Sequence, residues 1–460
     1  MEPTVNDPLS ALDGLAAAAP RRALSPRYKA VASATAGSII EGFDFIAYGT
    51  AAALVFNRQF FPNLDPTSAT LASFGAFATG LFARPLGAVL FGHFGDRLGR
   101  KSTLMLSLFL MGFSTIAIGL IPNYAQIGTW SAVLLVVLRI LQGIALGGEM
   151  GGAVLMAVEH APASRAGLFG SLPQIGPPIG LLLSTLAFSL LTRLPEPAFQ
   201  SWGWRVPFLA SVVLVMLGAF VRRSVGETPV FEKAARAGQP ADVPLWQLLT
   251  RHKKALLLAI GAKLPEVTLY YVLTVFLVSY ASTRLGFSRT AVLQVVMLGA
   301  AIQIATLPLI GYCADRVGVR RFYLGGAVVM ALCVVPLLRW IDSGSLVALQ
   351  VAVAIALGLN YPLLFGPQSA LFAAQFPVAV RFSGISIGIQ FAAAIGGGLA
   401  PIVATALVTR FHSLQPVALY VGALAALAAL CTRLMKNVPS AQTQTPTPMP
   451  TPMSLNSQGE

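Results

Sequence analysis

The chain has 460 residues, 56% of them hydrophobic and only 10% charged, with 31 Lys and Arg against 17 Asp and Glu. A soluble protein of this length is not so apolar, and runs of 18 or more apolar residues recur along the chain, each long enough to cross a ~30 Å hydrocarbon core. No catalytic constellation, cofactor motif or signalling domain accompanies them, so an enzyme or a receptor is disfavoured, and nothing suggests nucleic-acid binding.

The predicted helices span 31–56, 68–92, 103–122, 130–157, 167–191, 204–221, 256–281, 290–312, 323–341, 346–371, 384–408 and 416–435. Many contain Gly or Pro, which bundled membrane helices tolerate better than soluble ones. The expected fold is an all-α membrane protein of twelve transmembrane helices in two pseudo-symmetric halves. The expected organisation is a cytoplasmic tail at 1–29, a six-helix half at 30–222, a cytoplasmic linker at 223–254, a second half at 255–436 and a disordered tail at 437–460. The first 30 residues show no cleavable-signal pattern. The linker should be amphipathic. The tail repeats Pro, Thr and Gln from Gln442 to Pro452 and cannot bury a core.

The division into halves rests on a repeat. Gly92-His93-Phe94-Gly95-Asp96-Arg97-Leu98-Gly99-Arg100-Lys101, a tight basic loop after the second helix, recurs 219 residues later as Gly311-Tyr312-Cys313-Ala314-Asp315-Arg316-Val317-Gly318-Val319-Arg320-Arg321. Each copy sets an Asp at a helix end with cations around a short turn. Such charges can bridge helix ends and helix dipoles, so Gly92, Asp96, Arg97, Gly99, Arg100, Asp315, Arg316 and Arg320 are candidates for a gate that latches one side of the bundle.

Counting cations gives the orientation. With both termini on one side, that side carries 21 of the 31 Lys and Arg, and the other carries Arg58, Arg193, Arg205, Arg284, Arg289, Arg339 and Arg410. The termini are therefore expected in the cytoplasm, and the net charge of +14 follows from topology. Cys313, Cys333 and Cys431 and the four histidines have neither pairing nor metal spacing, so no metal site is expected.

Chemistry is sought in the ionisable residues inside the spans, each costing ~2.5–3.5 kcal/mol or more at mid-membrane unless paired or hydrated. They are Glu41, Asp44, Arg84, Arg139, Glu149, Lys263 and Glu266. Their near balance implies mutual pairing around a polar cavity. Glu41, Asp44 and Tyr48 share one face of the first helix, and two carboxyls a turn apart repel, so one is expected to hold a proton unless it simply pairs with an Arg. Arg84 on the second helix has Gln303 at the equivalent place in the other half, as suits one half gripping an anion while the other offers neutral hydrogen bonds. Its alternative is a structural pair with Asp44 or Glu41. On the fourth helix, Gly143, Gly147 and Gly151 form a packing seam. Gln142 and Glu149 share a stripe, with Arg139 a turn from Gln142. Lys263 and Glu266 can neutralise each other, and Asn360 adds hydrogen-bonding capacity beside a helix break at Pro362.

These residues carry a resemblance. The doubled Gly-Asp-Gly-Arg loop resembles the major facilitator superfamily. Within it, Glu41-Gly42-Phe43-Asp44-Phe45, Phe82-Ala83-Arg84-Pro85-Leu86-Gly87, Arg139-Ile140-Leu141-Gln142-Gly143, Gly147-Gly148-Glu149, Trp202-Gly203-Trp204-Arg205-Val206-Pro207-Phe208, and Phe376-Pro377 followed by Arg381-Phe382-Ser383-Gly384 resemble the metabolite:proton symporter branch. Phe56-Asn57-Arg58-Gln59-Phe60-Phe61-Pro62 is most like shikimate-type carriers. The resemblance spans about 28–436 and implies two halves rocking about a central site by alternating access. Members carry α-ketoglutarate, citrate, shikimate, aromatic acids, or the zwitterions proline and betaine. Uptake of a small organic acid is therefore expected, with a zwitterionic osmolyte as the alternative.

Two departures stand out. The branch often places an acid before the Phe-Pro that follows the tenth helix, where this chain has Ala374 and Gln375. Gly176-Pro177-Pro178-Ile179-Gly180 partly resembles the motif of drug:proton antiporters, which argues for export. On this reading Asp44, Glu41 and Glu149 carry the proton, while Arg84, Arg139, Gln142, Tyr48, Lys263, Glu266, Gln303 and Asn360 meet the substrate. No cofactor is expected beyond the proton as coupling ion. The expected partners are a small-molecule substrate, protons and the lipid bilayer, and the chain is expected to be monomeric in a bacterial cytoplasmic membrane.

Overall fold

A computed structural model describes residues 26–223 and 244–436. Most of the 1–29 tail, residues 224–243 of the linker and the 437–460 tail lie outside the described residues. Among the described residues, twelve helices are long and apolar enough to cross a bilayer: α1 Arg27–Phe60, α2 Gly75–Gly95, α3 Lys101–Leu120, α4 Trp130–His160, α5 Ala166–Leu191, α6 Gly203–Arg223, α7 Lys253–Thr283, α8 Thr290–Val317, α9 Val319–Asp342, α10 Leu346–Ala373, α11 Val378–Phe411 and α12 Gln415–Leu434. No strand occurs among the described residues. The chain is the all-α membrane protein that its apolar runs predict.

Within the halves α1 packs on α5, α2 on α4, α7 on α12 and α9 on α12; between them α2 meets α11 and α5 meets α8. The backbones of α2 and α4 come into direct contact. A Cβ at Gly143 would overlap the Gly80 backbone, and one at Gly147 would overlap that of Arg84 to Ala88. The third glycine of the seam, Gly151, faces Ser386 of α11 in the other half instead.

The repeat is visible in the backbone. The expected loop after the second helix is a break of one residue: one helix runs Pro66–Leu98 and the next Arg100–Leu120, with Gly99 between them at φ 103°. The second copy does the same, with helices Arg289–Val317 and Val319–Asp342 and Gly318 at φ 97°. Only glycine adopts that conformation cheaply, which explains the shared spacing. Helices α1 and α7 also carry π-turns at matching places, Ala52–Phe56 and Val272–Phe276. Such turns often mark functional sites. Of the linker, the described part includes a short helix, Pro244–Arg251.

Candidate substrate cavity

A central cavity lies between the halves. Its first-half wall includes Glu41, Phe45, Arg84, Pro177 and Pro178; the other includes Lys263, Glu266, Tyr270, Tyr271, Gln303, Tyr361, Phe365 and Gln390. Arg84 pairs with Glu41 at 3.5 Å, and its guanidinium lies 5.2 Å from the Phe45 ring centre. Lys263 pairs with Glu266 in direct contact, donates to Gln368 Oε1 at 3.1 Å and sits 5.6 Å from the Phe365 ring centre. The Tyr361 hydroxyl is a further polar group near Glu266. Two acids and two bases thus share one cavity, each base already countered by an acid.

The remaining predicted residues divide among other places. Asp44 is fully buried but does not line the cavity. Its Oδ2 accepts Thr115 Oγ1 of α3 at 2.8 Å, Thr115 accepts Gln142 Nε2 at 2.7 Å, and Gln142 Oε1 accepts from Arg139 at 2.5 Å. Arg139 forms no ion pair among the described residues; its guanidinium lies 4.2 Å from the Tyr48 ring centre and 4.8 Å from that of Phe77. The Phe45 ring centre lies near both arginines, 5.7 Å from the Arg139 guanidinium and 5.2 Å from that of Arg84. The first-helix face read as one surface therefore serves two: Glu41 faces the cavity, and Asp44 and Tyr48 face the interior of the first half. Gln303 lines the cavity and donates to Leu357 O at 2.9 Å. Asn360 is buried outside the cavity lining, at the end of the π-turn Ala356–Asn360, and neither of its side-chain polar atoms has a hydrogen-bond partner.

Glu149 belongs to a third place. It pairs with Arg222 at the end of α6, and Ser107 of α3 donates to it at 3.0 Å. Arg222 also donates to Leu104 O at 2.6 Å, so the pair ties α3, α4 and α6 together. Sequence reading ends the sixth helix at 221 and leaves Arg222 just past it, at the edge of the linker; the helix instead runs to Arg223 and buries Arg222 to 3% exposure. The charge at the head of an Arg-Arg pair reads as interfacial, and only the neighbouring acid draws it inward.

The halves meet at the end that carries the termini. Asp315 accepts the backbone N–H of Gly167 at 2.7 Å and of Leu168 at 2.9 Å across the boundary. Arg381 of α11 pairs with Glu159 of α4 at 3.1 Å, and Gln174 of α5 donates to Ser369 of α10 at 3.1 Å. Gly92 packs on Ser383 and Gly95 on the Phe382 ring. The side chains of Asp96, Arg97 and Arg100 lie outside the described residues. Arg316 bonds Tyr312 within its own helix. Arg320 donates to Thr432 O at 3.0 Å and Arg433 O at 2.6 Å, holding the last carbonyls of α12. Where the branch often has an acid, Gln375 holds the Lys436 backbone from both sides, at 3.1 and 3.4 Å.

Comparison with known proteins agrees with this architecture. Residues 30–242 match the family described as "Sugar (and other) transporter", and residues 266–456 match "Major Facilitator Superfamily". The "Shikimate transporter" of Escherichia coli (strain K12) is 38% identical over 418 residues, covering 90% of this chain and 95% of the relative. The chain belongs to the major facilitator superfamily. Another Escherichia coli relative, "Inner membrane metabolite transport protein YhjE", is 41% identical over 89% of this chain and 94% of its own length. The "Proline/betaine transporter" of the same organism is 31% identical, over 89% and 83% respectively. Among solved structures, the proton:xylose symporter XylE superposes with a TM-score of 0.72 over 88% of this chain and 95% of that one; at 19% identity the likeness is one of fold. The chain is a membrane transporter of this superfamily and not an enzyme.

For such a transporter the residues that sequence reasoning passed over are informative. Tyr270, Tyr271, Phe365 and Gln390 line the cavity, and Gln368 holds Lys263. Gln368 and Gln390 carried a usable signal, being amides inside or beside predicted apolar spans. Arg381 stood in a branch-like segment without a role of its own, and Thr115 and Glu159 carried no signal, because their importance arises from partners on other helices.

Proposed function

We propose that this transporter takes up a small organic acid, of the shikimate, dicarboxylate or aromatic-acid type, together with protons. The observation that carries the reading is the charge balance of the cavity: Arg84 from one half and Lys263 from the other face a common space, each already paired with an acid. A carboxylate entering alone would add an uncompensated charge at mid-membrane, so it is accompanied by a proton. The guanidinium fork of Arg84 suits a carboxylate. The identity to the shikimate transporter supports the substrate class. Asp44 and Glu41 are the proton carriers we favour, since each keeps one carboxylate oxygen without a hydrogen-bond partner among the described residues. Glu149, committed to Arg222 and Ser107, is the weakest of the three candidates.

By the bias of basic residues, the termini face the cytoplasm of a bacterial cytoplasmic membrane. The end closed by the contacts between the halves is then the cytoplasmic one. Radiolabelled acids offered to vesicles with and without a protonophore test the proposal: accumulation of at least one acid, abolished by the protonophore, is the expected result. A zwitterionic osmolyte is the second reading, because a charge-balanced, aromatic-lined cavity accepts such a molecule without a neutralising proton; proline and betaine therefore belong in the panel. Export finds less support. A Cβ at Gly176 would overlap Ser38, and one at Gly180 would overlap the Gly42–Phe43 backbone, so close packing of α5 on α1 accounts for the two glycines of the antiporter-like segment, while Pro177 and Pro178 line the cavity.

A further inference from the structure

The two ion pairs of the cavity are built differently. Arg84 and Glu41 come from different helices and meet loosely at 3.5 Å. Lys263 and Glu266 lie one turn apart on α7, in contact, with Glu266 only 1% exposed. The titratable and charged groups near Glu266 are Lys263, Tyr270 and Tyr271 on α7, Tyr361 on α10, Tyr323 on α9, and Glu41 and Arg84 across the cavity. Tyr323 donates its hydroxyl to Ala262 O at 2.9 Å and so offers Glu266 nothing. Lys263 is the one cation at ion-pair distance from Glu266 among the described residues. It has a second partner of its own, Gln368 Oε1, which keeps the ammonium in place when Glu266 lets go.

A substrate carboxylate that bonds Lys263 competes directly with Glu266. Once displaced, an ionised Glu266 would have no cation at ion-pair distance among the described residues, in a site nearly closed to solvent. A buried carboxylate without its cation is replaced by the neutral acid. We propose that Lys263 and Glu266 form a substrate-operated proton switch, in which the substrate carboxylate takes Lys263 and Glu266 takes up one proton. No covalent bond of the substrate changes. The proton comes from the solvent on the side of entry, and it leaves Glu266 when the substrate departs and Lys263 returns. Asp44 cannot do this, because it lies outside the cavity and bonds Thr115. A proton on Asp44 belongs to the conformational cycle, and the proton on Glu266 to substrate binding.

This inference rests on the organic-acid reading, so its test has one arm that needs no substrate. The full chain is purified into lipid nanodiscs. In the first arm, Lys263→Met strips Glu266 of its cation. Infrared spectra at neutral pH should gain a carboxylic-acid C=O band relative to wild type, and Lys263→Met/Glu266→Gln should lose it. A folded Lys263→Met protein without that band overturns the switch. In the second arm, equilibrium binding of radiolabelled shikimate is measured against pH. Uptake of one proton on binding makes affinity fall toward about tenfold per pH unit on the alkaline side. Glu266→Gln should flatten that dependence, whereas Asp44→Asn should keep it. A wild-type slope in Glu266→Gln sinks the proposal even if Lys263→Met does not fold. Failure of shikimate, citrate and α-ketoglutarate to bind wild type counts against the organic-acid reading alone, and the infrared arm still decides the switch.

Discussion

The Glu149–Arg222 pair yields the sharpest prediction about stability. Both side chains are almost fully buried, at 1% and 4% exposure, and three helices converge on them. Removing one partner leaves the other as an unpaired buried ion, which in comparable sites costs about 3–5 kcal/mol. Arg222→Met should therefore lower the thermal stability of the purified protein markedly, and Glu149→Leu should do so to a similar extent. The double variant Glu149→Leu/Arg222→Met removes both charges at roughly constant volume and should recover most of the loss, since such replacements are often neutral or better. Gly37→Ala should mimic the single variants, because a Cβ there would run into both charged groups. The assay is thermal unfolding in detergent, completed as a double-mutant cycle. Proton-driven uptake by the double variant adds a functional readout: if it is retained, Glu149 does not carry the proton. Single variants as stable as wild type would refute the clamp, and a stable double variant without coupling would return Glu149 to the proton path.

Three further outcomes are expected. Asp44→Asn should abolish accumulation driven by a pH gradient while leaving substrate exchange measurable; acid-driven uptake retained in both Asp44→Asn and Glu41→Gln would remove α1 from the coupling mechanism. Arg84→Lys should weaken substrate binding at least tenfold in equilibrium binding, because a point charge cannot reproduce the planar fork, whereas Arg139→Lys, outside the cavity lining, should chiefly lower stability. Native affinity in Arg84→Lys would move the substrate towards a zwitterion or a neutral molecule. Asp315→Asn and Glu159→Gln should each raise the labelling of cysteines placed on α2 and α11 from the end that carries the termini, and unchanged labelling in both would reduce these contacts to packing.

Much of the architecture is legible in the amino-acid sequence. Apolar runs of membrane length leave the backbone no option but to satisfy its own hydrogen bonds, so hydropathy suffices to count the helices. The 219-residue offset between two Gly-Asp-Arg-Gly segments exposes the repeat, and the one-residue breaks at Gly99 and Gly318 explain why glycine has to recur there. Seven membrane acids and bases can likewise be picked out, because a charge in hydrocarbon is too costly to be incidental.

Their partners cannot be read in the same way. Helical periodicity says which residues share a face, but not which other helix that face meets. The pairing of Glu149 with Arg222 joins residues 73 positions apart, and the bond between Gln174 and Ser369 joins residues 195 apart. Glu41 and Asp44, one turn apart on one helix, part company because Arg84 and the cavity stand before the first and Thr115 before the second. Sequence determined most of the charges that enter the membrane, since that cost is local to each side chain; only the packing of helices drew Arg222 inward and decided which charge answers which, since that energy exists only between neighbours in space.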